Sequence, residues 1–165
     1  MERVSVAASK FLTEEPRRTM FKHILISTDG SPVSNKAAKA GVALASALGA
    51  KVTAYYAVDR MHSLYVEGYT FDEKTIKGLE DSARQVGQKR VDAIGRMAKA
   101  AGVPFASVVT KANTPYEGII DTARKRKCDA IFMASRGRRG LSKLIMGSVT
   151  QKVLMLSKIP VVVYR

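Results

Sequence analysis

Asp129-Ala130-Ile131-Phe132-Met133-Ala134-Ser135-Arg136-Gly137-Arg138-Arg139-Gly140 is the stretch that decides the fold. Its uninterrupted apolar run, Ala130 to Ala134, has no polar face, so a strand over 129–134 must be covered on both sides, as strands of a parallel sheet are. A basic, glycine-containing turn follows and runs to Gly147-Ser148, where a helix from Ser148 to Leu156 begins. Ile159 to Tyr164, rich in β-branched residues, reads as a last strand.

Working outward toward the amino end, the same alternation repeats. Residues 22–28 form a short apolar strand that stops at Asp29-Gly30-Ser31-Pro32, where Ser31 can cap a helix and Pro32 suits its first position. Val33, Ala37, Ala40, Leu44 and Leu48 recur at helical spacing, and Gly49 is placed to end that helix in a left-handed conformation. Lys51 to Val58 is a second strand; residues 59–71, with Tyr65, Gly68 and Tyr69, show no periodicity and read as a loop. Asp72 to Ala101 is a long charged helix, Phe105 to Thr110 a third strand, and Thr114-Pro115-Tyr116-Glu117 a capping box opening a helix to about Arg126.

Strand and helix in alternation require right-handed crossovers, and hence an α/β fold: one doubly wound, five-stranded parallel sheet with helices on both faces. In the order 3-2-1-4-5 the turns after the first and fourth strands become neighbours at the switch point, where ligands of such sheets bind. The chain of 165 residues accommodates one such domain. No apolar run approaches the roughly 20 residues of a membrane span. The amino terminus lacks the apolar stretch of a secretory signal, and Cys128 is the sole cysteine, so a reducing cytoplasm is the expected setting. Cys128 is assigned no chemistry, since His23 and His62 lie far from it in sequence.

A net charge of +14 attracts phosphate-bearing molecules without saying which. Lys125, Arg126 and Lys127 close a helix, where cations complement the carbonyl end of the dipole. Arg136, Arg138, Arg139 and Lys143 instead crowd the glycine turn, and no acidic residue follows Asp129 to neutralise them. Gly137, Gly140 and Gly147 permit close backbone approach there, and the helix opened by Ser148 presents free N–H groups to an anion. Ser148 can donate its hydroxyl to a phosphate or cap its own helix. Plain turn glycines would be the bland alternative, but the buried strand before them and the helix start behind them favour phosphate binding.

From Met20 to Arg165 the chain resembles the universal stress proteins. The likeness is carried by Phe21-Lys22-His23-Ile24-Leu25-Ile26, Thr28-Asp29-Gly30-Ser31, Ser135-Arg136-Gly137-Arg138-Arg139-Gly140-Leu141 and Met146-Gly147-Ser148-Val149. Nucleotide-binding members carry glycine, two residues, glycine, nine residues, then glycine with serine or threonine; that spacing lands on Ala134, Gly137, Gly147 and Ser148, with alanine in the first glycine place. The resemblance implies ATP or another adenine nucleotide as ligand, with Mg or Mn on its phosphates. It places Asp29 against the adenosine or the metal and gives Ala57 the role of offering backbone groups to adenine. For Asp29 the alternative is a carboxylate held by a helix dipole with no ligand. It also implies a homodimer, for which the edge from Pro160 to Tyr164 is the candidate surface. Residues 1–19 lie outside the resemblance and read as a flexible extension.

No Ser-His-Asp set, metal-ligand spacing or Walker lysine is present, which favours a binding protein with at most slow hydrolysis, and the resemblance implies that it is a nucleotide-responsive stress protein acting as a sensor or partner-binding module. A slow ATPase or self-phosphorylating enzyme on the same fold is the second reading. A nucleic-acid-binding protein is the third, opposed by the lack of aromatic residues among the cations from Arg136 to Lys143.

Overall fold

The computed structural model describes residues 20–59, 65–66, 69–70, 72–137 and 146–165. The N-terminal extension, His62, Arg138, Arg139, Gly140 and Lys143 lie outside the described residues. Strands β1 (His23–Ser27), β2 (Lys51–Asp59), β5 (Phe105–Ala112), β6 (Ala130–Ala134) and β7 (Val161–Tyr164) form one parallel sheet in the order β5-β2-β1-β6-β7. This is the expected doubly wound order. Helices α1 (Pro32–Leu48) and α2 (Glu73–Ala100) cover one face; α3 (Pro115–Lys125) and α4 (Ser148–Leu156) cover the other.

Two of the three inner strands, β1 and β6, are buried along their whole length: the unbroken apolar run of β6 requires it, while β1 flanks its apolar Ile24-Leu25-Ile26 with buried His23 and Ser27. Alternation divides their side chains between two cores. Ile24, Ile26, Phe132 and Ala134 join the α1–α2 side, while Leu25, Ile131 and Met133 join the α3–α4 side. Glycines let the helices sit close on bulky strand residues. A Cβ on Gly41 of α1 would lie 2.9 Å from Ile26 Cδ1, and one on Gly87 of α2 would lie 2.6 Å from a Tyr56 ring carbon.

Local signals account for most helix ends. Ser31 caps α1 by accepting from the Ser34 amide at 3.1 Å, with Pro32 as first residue, and Gly49 ends the helix at φ 64°. Asp72 caps α2, accepting from the Thr75 amide at 2.7 Å. Two expectations are corrected. At α3 the Thr114 hydroxyl donates to the Glu117 carboxylate at 2.8 Å and caps no backbone amide, so the pair meets side chain to side chain and not through the reciprocal amide bonds of a capping box. Within residues 59–71, β2 continues to Asp59, and β3 (Tyr65–Val66) pairs antiparallel with β4 (Tyr69–Thr70), so the loop contains a hairpin. Aromatic and β-branched residues on either side of Glu67-Gly68 suit that pairing. Among the described residues no helix is long and apolar enough to cross a membrane.

Candidate functional site

At the carboxy end of β1 a small hydrogen-bond network shapes the turn into α1. The Thr28 amide donates to the Tyr55 carbonyl at 3.0 Å, and the Thr28 hydroxyl accepts from the Gly30 amide at 3.0 Å. Asp29 Oδ1 accepts from the Ser31 amide at 3.0 Å. Gly30 sits at φ 78°, a left-handed conformation that favours glycine. The Asp29 carboxylate is thereby fixed at the rim of the sheet, one strand away from the exit of β6.

Across that gap lies Gly137, and a side chain there would collide with Asp29 Oδ2. Gly137 is not in the left-handed region, so close approach to the carboxylate is what excludes a Cβ. The far end of the same connection closes back onto its start. The Gly147 amide donates to the Ser135 carbonyl at 2.8 Å, and a Cβ on Gly147 would lie 3.1 Å from the Arg136 Cα. Gly147 has φ −64°, so backbone proximity again explains the glycine. The structure thus brings Asp29, Gly137 and Gly147 into one crevice between the amino ends of α1 and α4.

Ser148 is the first residue of α4, and Gly147 holds the cap position without a side-chain cap bond. Self-capping by Ser148, one of its two expected uses, does not occur; as first helical residue its hydroxyl is too far along to serve the cap position. Ser148 is exposed at the crevice edge. α4 has no acidic residue in its first turn, so the positive end of its dipole is uncompensated from within, whereas the Asp29 carboxylate, bonded to the Ser31 amide, already lies at the amino end of α1.

Ala134 ends β6 with its methyl buried in the α1-side core, 6% exposed, and its carbonyl accepts from the Thr150 hydroxyl at 3.0 Å. Its backbone is extended, so alanine brings no strain. The methyl that replaces hydrogen is accommodated by the protein's own packing. Ala57 pairs with Thr110, and the register Ser27↔Tyr55 places it level with Asp29 on the neighbouring strand. It is half-buried and packs toward the α3–α4 side.

One neighbour of the site had no sequence signal. Arg90 of α2 lies across Gly30, whose Cβ would fall 2.6 Å from Nε and 2.8 Å from Cδ of that side chain. The contact depends on where the long helix crosses the sheet, which residue spacing does not encode.

The opposite rim of the sheet holds His23 and Cys128. His23 Nε2 bonds the Thr53 hydroxyl at 2.8 Å, while buried Nδ1 has no hydrogen-bond partner. Burial, assisted by Lys51, lowers the His23 pKa. Burial also raises the Cys128 thiol to about 11, which keeps it protonated and unreactive at neutral pH. Among the described residues, no group of three or more His, Cys, Asp or Glu is placed to hold a metal.

The model of the universal stress protein family matches residues 20–165. A universal stress protein of Methanocaldococcus jannaschii is 30% identical over 88% of this chain and 83% of its own. One from Thermus aquaticus is 32% identical over 88% and 100%. Among solved structures, another M. jannaschii protein superposes with a TM-score of 0.75 at 25% identity, covering 87% of this chain and 95% of its own. A universal stress protein in complex with cAMP superposes at 0.62 with 19% identity over 88% and 97%. One from Archaeoglobus fulgidus in complex with dAMP does so at 0.57 with 17% identity over 88% and 99%. Matched over the whole of its α/β domain, residues 20–165, the chain belongs to the universal stress protein family.

Proposed function

We propose that the crevice between Asp29 and Gly147 binds an adenine nucleotide, ATP foremost, and that the protein acts in stress response as a nucleotide-dependent sensor or partner-binding module. The observation that carries this reading is the close approach at two glycines: a Cβ on Gly137 would displace the Asp29 carboxylate, and one on Gly147 would crowd the Arg136 backbone at 3.1 Å. The amino end of α4, with no acidic residue in its first turn, lies beside them, which suits an anion. The complexes of family members with cAMP and dAMP support adenine as the base.

In this reading the Gly147 and Ser148 amides and the Ser148 hydroxyl hold phosphate oxygens, and Asp29 accepts from the ribose hydroxyls. Backbone groups of Ala57 face adenine. A Mg or Mn ion would supply charge neutralisation on the phosphates, and Asp29 would hold that ion as the alternative to the ribose hydroxyls. Chromatography of small molecules released on denaturation, followed by calorimetric titration of the emptied protein with ATP, AMP and GTP, tests the reading. Adenine nucleotide is expected in the released fraction and adenine preference in the titration. No affinity for any adenine nucleotide at millimolar concentration would overturn it.

The same reading includes a homodimer. β7 is an edge strand whose four residues are all half-buried, and Met155 and Leu156 beside it are 82% and 56% exposed. A second copy covering this edge removes both an open ladder and an apolar patch from water.

A further inference from the structure

Helix α2 carries two apolar seams, and the sheet uses one of them. Gly87, Val91, Ile94 and Ala98, spaced four, three and four, are its buried residues, and all lie in its carboxy half. A second seam, Ile76, Leu79, Ala83, Val86, Arg90, Ala93 and Met97, alternates steps of three and four, the spacing by which one helix packs along another. Ala83 and Met97 touch the α1-side core at its edge, but Leu79 and Val86 are 38% and 46% exposed. Lower down, this seam forms one wall of a groove of about 480 Å³ between α2 and α1, lined by Asn35, Val86, Lys89, Arg90, Ala93, Arg96 and Met97.

The lining combines an apolar floor with three cations and no carboxylate. Lys89 and Arg96 stand one heptad apart on the seam's outer flank, where charges choose the partner helix in a coiled coil. None of the three cations forms an ion pair within the described residues. From this arrangement we infer that the α1–α2 groove docks an amphipathic helix of a partner protein, with apolar residues every three to four positions and acidic residues flanking them. The apolar stripe fills the floor over Val86, Ala93 and Met97, and the acidic flank meets Lys89, Arg90 and Arg96. A basic helix is rejected by like charge. The inference does not rest on nucleotide binding, and its test is made without nucleotide.

The probe is a synthetic helical peptide of about three heptads, leucine at the seam positions and glutamate on the flanks, with a lysine-flanked control. It is titrated into the full 15N-labelled chain, and affinity is read in parallel by fluorescence anisotropy. The acidic peptide is expected to bind with a Kd of roughly 1–100 μM and to shift amides of Leu79, Val86, Lys89 and Ala93, weakening as salt rises. Val86→Glu should lower affinity at least about tenfold, as should Lys89→Glu, which is exposed and leaves the melting temperature unchanged. Equal binding of the lysine peptide, or shifts confined to other elements, would overturn the proposal. So would access to the groove only after removal of residues 1–19, which would make that segment the occupant. A Val86-dependent dimer in sedimentation would assign the groove to a second copy instead.

Discussion

Replacing Gly137 by alanine tests the geometry of the crevice most directly. The backbone at 137 is outside the left-handed region, so alanine introduces no torsional penalty and the added methyl is the whole perturbation. That methyl meets Asp29 Oδ2. To make room the carboxylate must turn, and turning it strains or breaks the 3.0 Å bond from the Ser31 amide to Oδ1. A hydrogen bond to a charged acceptor is worth about 1.5–3 kcal/mol, so if Asp29 is held for a nucleotide, affinity should fall roughly 10- to 150-fold. The same bond is present in the ligand-free fold, so its full loss should also lower the melting temperature by about 3–12 °C, at roughly 2–4 °C per kcal/mol for a domain of this size. Calorimetric titration with ATP beside a thermal melt reads both quantities. In an Asp29→Ala background the methyl has no carboxylate to displace, and Gly137→Ala should then cost nothing further. Affinity within threefold of the parent in the single variant, or full additivity in the double, would refute the account of why position 137 is glycine.

Ala134→Gly removes a methyl buried in the core and places glycine in a strand; it should destabilise the protein by about 1–2 kcal/mol in urea unfolding while ATP affinity changes less than threefold. His23 has a folded-state pKa lowered by burial, so the unfolded chain binds the proton more readily. Its contribution is therefore fully present above the unfolded value near 6.5 and is lost as pH falls through the lower folded value; denaturation midpoints from pH 7.5 to 4.5 should fall more steeply for the parent than for His23→Gln. Met155→Glu, at a position 82% exposed, should leave monomer stability within about 0.5 kcal/mol yet shift sedimentation from dimer toward monomer. An unchanged sedimentation coefficient would remove α4 from the dimer surface.

What the sequence made legible is what local chemistry encodes. The bounds of α1 follow from Ser31, Pro32 and Gly49, each acting within a residue or two of its own position. The full burial of β6 follows from five consecutive apolar residues. Asp29, Gly137, Gly147 and Ser148 were placed together because strand order 3-2-1-4-5 forces two turns to the same rim. The reasons for the glycines were only half legible. Both described glycines of the connection have ordinary φ, and their need for a bare Cα comes from residues far along the chain, Asp29 in one case. The β3–β4 pair was missed because two residues per strand give no alternation to detect. Arg90 was missed for a different reason: on sequence it is one cation among many on a charged helix, and only the crossing of α2 over the sheet lays it on Gly30.

That crossing also changes how the net charge is understood. Spread evenly, an excess of +14 would be a general anion field, screened within about 8 Å at physiological salt and selective for nothing. In the folded chain part of it is sorted into two addresses of different character. One is the crevice, where the amino end of α4 and Arg136 stand across from the Asp29 carboxylate. The other is the groove, where Lys89, Arg90 and Arg96 edge an apolar floor. Arg90 belongs to both, lining the groove while lying across the turn that presents Asp29. The two sites therefore share one side chain, and by linkage any change that the acidic peptide makes in nucleotide affinity must be matched by an equal change that nucleotide makes in peptide affinity. Arg90→Ala, which leaves each site its remaining groups, should abolish that mutual effect while preserving most of both affinities.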